Sequence, residues 1–234
     1  MKNKLSTLLL PKMLLVLGIT ISYFTVSAQK GDWANFTKYK DANSVDKTLS
    51  SNMRQVIFMG NSITQGWYTM DSAFFKSNHY LGRGISGQTT SQMLVRFRKD
   101  VLDLSPKAVV ILAGTNDIAG NTGDIELQNI AGNLFSMAEL AKAHGIKVFL
   151  CSVLPAYDYP WSRGKEPYKK IPQLNQLIEN YAKANNVTYV DFYTKMVDQR
   201  GGLSSNLAKD GVHPTMQGYK IMEDIILNAL KKSL

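Results

Sequence analysis

Cysteine is almost absent from the 234-residue chain, in which Cys151 stands alone. One cysteine cannot form an internal disulfide bond, and without a Cys-x-x-Cys pair the chain lacks the spacing of a structural zinc site. Cys151 ends the apolar run Val148 to Cys151, so we expect a buried strand residue rather than a reactive thiol. The fold must therefore rely on its hydrophobic core, and a chain of this length can bury one.

A concentrated excess of one charge is also missing. The formal net charge is +9, but the lysines and arginines are dispersed, and only short basic groups such as Arg96 to Lys99 and Lys231-Lys232 occur. Dispersed charges of this kind are typical of solvated helix faces. We therefore expect no nucleic-acid partner.

Residues 1–28 carry the only long apolar stretch in the chain. Lysines precede it, Pro11 and Lys12 interrupt it, and the small residues Val26-Ser27-Ala28 follow it. This layout is typical of a secretory signal peptide. An uncleaved anchor is the alternative, but a membrane span needs about 20 uninterrupted apolar residues.

We therefore predict a signal peptide over residues 1–28, cleaved near Ala28. The mature chain of about 206 residues would lose three lysines, and its formal charge would fall from +9 to +6. It would be exported to the periplasm or the extracellular space, without a stable membrane anchor. No oligomeric state is predicted.

Strand-like apolar runs alternate with helical patterns through the rest of the chain. The predicted strands are 56–59, 80–85, 108–113, 147–153 and 187–190, and the predicted helices are 89–103, 124–144, 168–186 and 215–232. Continuously apolar strands that alternate with helices indicate a parallel sheet covered on both faces. The sequence thus predicts the α/β class: a three-layer α/β/α sandwich with about five parallel strands.

Residues 54–234 are expected to form this single domain. The polar segment 29–53 would pack on its outside as a helix and a loop. A long loop over residues 154–168 is rich in aromatic residues and proline, and long loops in compact domains are often functional.

Four polar motifs lie at the ends of the predicted strands or before the last helix. They are Gly60-Asn61-Ser62, the segment RGISGQTT, the segment GTND and the segment DGVHP. Ligands of open parallel sheets bind beyond the carboxyl ends of the strands. We therefore expect the four motifs to meet at one edge of the sheet.

Together the motifs contain the parts of an acyl-transfer site. Ser62 could act as a nucleophile, His213 as its general base, and Asp210 as the carboxylate that orients the imidazole. The amides of Ser62 and Gly87 and the side-chain amide of Asn116 could stabilise an oxyanion. Each motif alone has a simpler reading, such as a helix cap or a turn. Their occurrence in order at strand ends favours catalysis.

The segments FMGNSIT, RGISGQTT, GTND and DGVHP resemble the four sequence blocks of the SGNH hydrolases, also called the GDSL lipase/esterase family. The resemblance runs from about residue 54 to the end of the chain. It implies a flavodoxin-like sandwich and an esterase that needs no metal and no cofactor. It also implies that Ser62 is the nucleophile, that Gly87 and Asn116 are oxyanion donors, and that Asp210 and His213 complete a triad.

One position departs from the family pattern. The usual Gly-Asp-Ser is Gly60-Asn61-Ser62 here, and asparagine makes turn hydrogen bonds similar to those of aspartate. The chain also lacks the Gly-x-Ser-x-Gly elbow, because Thr64 replaces its second glycine. An ordinary α/β-hydrolase is therefore disfavoured.

The substrate is expected to be a small-molecule or polysaccharide ester. Aromatic residues near the predicted site suit sugar rings, and we predict substrate contacts for Trp67, Tyr157, Tyr159 and Trp161. A secreted esterase that removes acetyl groups from carbohydrates is the leading hypothesis. A lysophospholipase or a general short-chain carboxylesterase is the alternative, and a non-catalytic sugar-binding protein is a third reading.

Overall fold

The computed structural model describes residues 31–234, so the predicted signal peptide lies outside the described residues. Five strands form one sheet in the order β2-β1-β3-β4-β5, and every neighbouring pair is parallel. The strands are β1 (Val56–Gly60), β2 (Tyr80–Gly84), β3 (Ala108–Leu112), β4 (Lys147–Cys151) and β5 (Thr188–Val190). The α-helices are α1 (Lys40–Asp46), α2 (Ser62–Met70), α3 (Ser72–Ser77), α4 (Thr90–Asp100), α5 (Thr115–Ile118), α6 (Leu127–Ala143), α7 (Pro167–Ala184), α8 (Tyr193–Met196) and α9 (Met216–Ser233).

Helices cover both faces of the sheet, because alternate strand residues point to opposite sides. Ile57 and Met59 of β1 belong to one buried cluster, to which α4, α6 and α7 contribute. Val56 and Phe58 belong to a second cluster, formed with α2, α3 and α9. Both faces of the sheet are therefore buried, which explains why the strands are continuous apolar runs in the sequence. The predicted three-layer sandwich with a flavodoxin-like strand order is confirmed.

Two predicted helices are longer than the observed ones. The helix predicted over 124–144 begins at Leu127, because Glu126 before it has an extended backbone, with φ −73° and ψ 149°. The helix predicted over 89–103 ends at Asp100, and a separate 3₁₀ turn covers Leu102–Leu104. The remaining boundaries differ by two residues or fewer.

Residues 32–53 contain α1 and two short 3₁₀ helices, and they contact the domain through polar groups. The Tyr39 hydroxyl donates to the carbonyl of Gly84 at the end of β2. The Asn43 amide donates to Asp100 at the end of α4, with 2.6 Å between Nδ2 and Oδ1. The first bond connects residues 32–53 to the edge strand β2, and the second connects α1 to α4. Within residues 31–234, no helix combines the length and apolar character that crossing a bilayer requires.

Glycines at the ends of β1 and β2 allow α2 to lie against the sheet. A Cβ atom on Gly84 would come within 2.2 Å of the backbone nitrogen of Gln65 and 2.7 Å of the carbonyl oxygen of Asn61. A Cβ atom on Gly60 would lie 2.8 Å from the Cβ atom of Thr64 in α2 and 2.8 Å from the carbonyl oxygen of Leu112 in β3. Neither contact can be relieved by rotating a side chain, so these two positions require glycine.

We therefore expect Gly84→Ala to lower the free energy of unfolding by about 3 kcal/mol, the upper end of the usual overpacking cost. Gly132→Ala is the matched control, because a Cβ atom on Gly132 in α6 meets nothing within 4 Å. It should stabilise the protein by roughly 0.5–1 kcal/mol through helix propensity. Urea unfolding of both variants measures the difference, and equal stabilities would contradict the packing argument.

Candidate active site

Ser62 is the first residue of α2, and it follows directly after the turn that ends β1. The Asn61 side chain caps the helix, because its Oδ1 accepts from the backbone N–H of Ile63 at 3.0 Å. An aspartate oxygen could make the same bond, so the departure from Gly-Asp-Ser preserves the turn. The Ser62 side chain is thereby presented at the carboxyl edge of the sheet, with the N-terminus of α2 beneath it.

Ser62, His213 and Asp210 form one chain of hydrogen bonds. Ser62 Oγ lies 2.9 Å from His213 Nε2, and His213 Nδ1 lies 2.6 Å from Asp210 Oδ2. With its proton on Nδ1, the imidazole donates to the carboxylate and leaves Nε2 free to accept from the serine hydroxyl. This arrangement can accept the serine proton and stabilise the imidazolium that results.

Asp210 is held in its ionised form by local hydrogen bonds. Partial burial alone would raise the pKa of this carboxyl. The backbone N–H of His213, the His213 ring and the backbone N–H of Val212 outweigh that effect, so the pKa lies below its ordinary value. The two backbone bonds to Oδ1 measure 2.8 Å and 3.0 Å. Asp210 therefore stays negatively charged beside the imidazole at neutral pH.

Helix α9 connects the histidine segment to the serine helix. It begins at Met216, three residues after His213. The Tyr219 hydroxyl donates to the carbonyl of Ile63, the neighbour of Ser62, at 2.9 Å. These contacts fix the distance between Ser62 and His213.

Gly87 and Asn116, two of the oxyanion donors predicted from the sequence, line the same cavity as Ser62 and His213. Gly87 has a positive φ of 78°, a conformation that glycine adopts without strain. Its backbone N–H makes no hydrogen bond within the described part of the chain. Asn116 Nδ2 donates one hydrogen to the carbonyl of Gln88 at 2.9 Å, which leaves its second hydrogen available.

A buried carboxylate holds the GTND turn against the start of α4. Asp117 accepts from the backbone N–H of Thr90 at 2.9 Å and also from the Thr90 hydroxyl. Burial raises the pKa of Asp117, and the Thr90 bonds oppose that rise. Because Thr90 follows the Gly87 loop, this contact orders Asn116 and Gly87 together.

A cavity of about 250 Å³ lies beside Ser62, His213 and the two oxyanion donors Gly87 and Asn116. Its lining residues are Ser62, Ser86, Gly87, Asn116, Asn121, Trp161 and His213. The indole of Trp161 is 45% exposed, and its ring centre lies 6.0 Å from that of His213. The structure thus brings all five predicted catalytic and oxyanion residues, and one predicted aromatic contact, to the same place.

Asn121 lines the cavity but was not predicted from the sequence as a residue of the site. Its side-chain amide donates to the carbonyl of Gly87 at 2.9 Å, and its oxygen accepts from Trp161 Nε1 at 3.1 Å. The same side chain therefore holds both the Gly87 loop and the Trp161 ring. The signal was the glycine-flanked segment AGNTGD just after the GTND motif, which indicates a loop close to the site.

Two predicted substrate contacts are wrong. Trp67 is 1% exposed and lies in the core, where its Nε1 donates to Glu223 at 3.1 Å. Tyr159 is fully buried, and its hydroxyl accepts from Thr115 at 2.9 Å. Its ring stacks on Trp161 at 5.2 Å, so Tyr159 supports the exposed indole and does not itself face the cavity.

Tyr157 is exposed but does not line the cavity. Its ring stacks on Tyr168 at 5.0 Å, and the guanidinium of Arg200 lies over it at 5.2 Å. Contact with an extended substrate stays a prediction for this residue. In residues 31–234, no group of three or more histidine, cysteine, aspartate and glutamate side chains is arranged to hold a metal ion.

Comparisons with known proteins agree with this geometry. Residues 58–221 match the model of the GDSL-like lipase/acylhydrolase family. The crystal structure of a GDSL-like lipase from Bacteroides thetaiotaomicron is similar, with 50% identity and a TM-score of 0.83, over 86% of this chain and all of the other.

Two curated proteins are more distant. Platelet-activating factor acetylhydrolase IB subunit alpha2 from Rattus norvegicus is 28% identical, over 76% of this chain and 78% of its own. Esterase TesA from Pseudomonas aeruginosa is 27% identical, over 71% of this chain and 79% of its own. From the family match, the crystal-structure neighbour and the fold, we conclude that the chain belongs to the GDSL-like lipase/acylhydrolase family, the SGNH hydrolases, and is a carboxylic ester hydrolase.

Proposed function

We propose that the protein is an exported serine esterase that removes small acyl groups, above all acetyl, from carbohydrates. The observation that carries the proposal is the hydrogen-bonded chain Ser62–His213–Asp210 at a small cavity with one exposed indole. The signal-peptide pattern of residues 1–28 supports export.

The mechanism proceeds through an acyl-enzyme. His213 Nε2 takes the proton from Ser62 Oγ as the oxygen attacks the ester carbonyl carbon. The N–H groups of Ser62 and Gly87 and the Asn116 amide stabilise the oxyanion of the tetrahedral intermediate. The imidazolium then protonates the leaving alkoxide, and the sugar hydroxyl departs.

Water completes the cycle by the same steps. His213 removes a proton from the water molecule that attacks the acyl carbon, and the imidazolium returns that proton to Ser62 Oγ as the carboxylate leaves. Asp210 remains ionised and keeps the imidazole in the orientation that both half-reactions need.

The size and lining of the cavity support a small acyl group. Its volume of about 250 Å³ is below the range of roughly 300–1,000 Å³ for pockets that enclose drug-sized ligands. Seven residues line it, and Trp161 is the one large apolar side chain among them. An acetyl group fits such a space, whereas a long acyl chain would remain in water. The name of the rat relative also specifies an acetylhydrolase.

A lipid ester is the second candidate, because that relative is named for platelet-activating factor. Hydrolysis of p-nitrophenyl acetate and p-nitrophenyl dodecanoate tests the acyl length. Release of acetate from acetylated xylo-oligosaccharides, measured beside fatty-acid release from lysophosphatidylcholine, tests the substrate class. Faster turnover of the dodecanoate and of the lysophospholipid would overturn the proposal in favour of the lipid ester.

Trp161 is the residue through which we expect the carbohydrate to be recognised. Trp161→Ala should lower kcat/KM for an acetylated oligosaccharide about tenfold, since an aromatic contact is worth about 0.5–1.5 kcal/mol beyond its buried area. Turnover of p-nitrophenyl acetate should stay within about threefold of wild type, because that substrate needs only the serine end of the cavity.

Trp33→Ala is the control, since it removes another exposed indole that does not line the cavity. It should change neither reaction. Equal losses on both substrates in Trp161→Ala would show that the indole supports His213 or Asn121. An unchanged kcat/KM for the oligosaccharide would remove Trp161 from the binding surface.

A further inference from the structure

Arg96 is the residue whose placement the esterase chemistry leaves unexplained. The sequence places it in a basic group expected on a solvated face, yet it is 0% exposed. Its guanidinium forms an ion pair with Asp100, with 2.7 Å between Nη1 and Oδ2. Burial lowers the pKa of Arg96, and Asp100 opposes that change.

The other nitrogens of Arg96 reach the two segments that carry the proposed nucleophile and one oxyanion donor. Nη2 donates to the carbonyl of Gly60 at 3.1 Å and to the carbonyl of Arg83 at 3.0 Å. Gly60 ends β1, two residues before Ser62, and Arg83 is the penultimate residue of β2, before the Gly87 loop. The guanidinium thus lies in the fork where these neighbouring strands separate.

Gln88 extends this contact to the loop itself. Its Oε1 accepts from Arg96 Nε at 2.6 Å, and its Nε2 donates to the carbonyl of Ala34 at 2.8 Å. Its own backbone carbonyl accepts from Asn116. The residue that follows Gly87 is therefore held by both its side chain and its backbone.

Stability alone is a weak reason for this arrangement. Replacing a buried ion pair with apolar residues is often neutral or stabilising, because desolvating the charges offsets their attraction. The planar fork of an arginine has a geometric use that an apolar side chain cannot supply, since it donates in several fixed directions at once.

We infer that Arg96 and Gln88 are positioning residues that set the spacing between the Ser62 turn and the Gly87 loop, and so direct the oxyanion donors at the reacting carbonyl. The inference rests on the proposed roles of Ser62, Gly87 and Asn116. Neither residue lines the cavity, so both act through the groups that do.

Gln88→Met tests the inference, because it keeps the volume of the side chain and removes its bonds to Arg96 and to Ala34. We expect kcat for p-nitrophenyl acetate to fall about tenfold per active site, a part of the roughly 10²–10³ that a lost donor costs. KM should stay within about threefold, since the donors act in the transition state. Titration with a fluorophosphonate counts the active sites, which separates misplacement of the loop from loss of folded protein.

Arg96→Lys and the double variant, which combines Arg96→Lys with Gln88→Met, complete a double-mutant cycle. Both single changes remove the same bond between Nε and Oε1, so the double variant should lose little beyond Arg96→Lys. If fluorophosphonate titration finds few active sites in Arg96→Lys, the kcat of Gln88→Met alone decides whether the inference holds. Asn43→Ala is the matched control: it breaks the bond between Asn43 and Asp100 at the far end of the network, and kcat per site should stay within about twofold.

An unchanged kcat per site in Gln88→Met would overturn the inference, as would losses that multiply in the double variant. The proposed function fails in a different way, through turnover that survives in Ser62→Ala. A Ser62→Ala enzyme without activity, together with a fully active Gln88→Met enzyme, would reject the positioning role alone.

Discussion

Ser62→Ala is expected to lower kcat by roughly 10³-fold or more while the fold is retained. The hydroxyl is the only group of this residue within reach of His213 Nε2, and alanine has no atom that can attack an ester. His213→Ala should cost a similar factor, because the serine then loses its base. The double variant should lose little beyond either single one, since the triad acts as a unit. Steady-state hydrolysis of p-nitrophenyl acetate measures all three.

His144→Ala is the control for the histidine change. His144 follows α6, and its Nδ1 lies 2.8 Å from the carbonyl oxygen of Leu140, away from the cavity. It should leave kcat within about twofold. Folded Ser62→Ala protein that turned over within tenfold of wild type would contradict the assignment of the nucleophile.

Asn116→Ala is expected to lower kcat by about 10²–10³-fold, since one oxyanion donor is typically worth roughly 3–4 kcal/mol. The change in KM should be small, because the bond strengthens only as negative charge develops on the carbonyl oxygen. The same amide also holds Gln88, so part of the loss reflects a displaced Gly87 loop. Kinetics with a saturating small ester separate kcat from KM.

Asn133→Ala provides the comparison. Its amide donates to the Thr90 hydroxyl at 3.0 Å, in the contact that orders the same loop, but it does not line the cavity. We expect at most a few-fold loss of kcat. If Asn116→Ala raised KM alone, Asn116 would belong to ground-state binding and not to the oxyanion hole.

The sheet and the place of the site could be predicted because both depend on short-range patterns. Strands that are buried on both faces must be continuously apolar, as Val56 to Met59 are, and the topology then gathers their carboxyl ends. Ser62, Asn116 and His213 could be assigned together for this reason. The burial of Arg96 could not be predicted, because the pattern of an amphipathic helix does not show whether a cation faces water or lies between the ends of two strands.

The two wrong aromatic contacts have different causes. Trp67 lies five residues after Ser62 in one helix, and at 3.6 residues per turn the two side chains point about 140° apart. Helical geometry alone therefore argued against a shared cavity. Tyr159 lies in an irregular loop, where no periodicity decides which of two nearby rings, Tyr159 or Trp161, is covered by the other.

The contact between α9 and α2 forms late, because the chain is synthesised from its N-terminus and α9 is the last helix. The proposed nucleophile is made early, whereas Asp210, His213 and the Tyr219 hydroxyl that reaches Ile63 come about 150 residues later. A nascent chain that has already folded β1 and α2 carries a serine without a base. Esters met before the last helix docks would stay intact, and hydrolysis would begin only when translation has passed that helix.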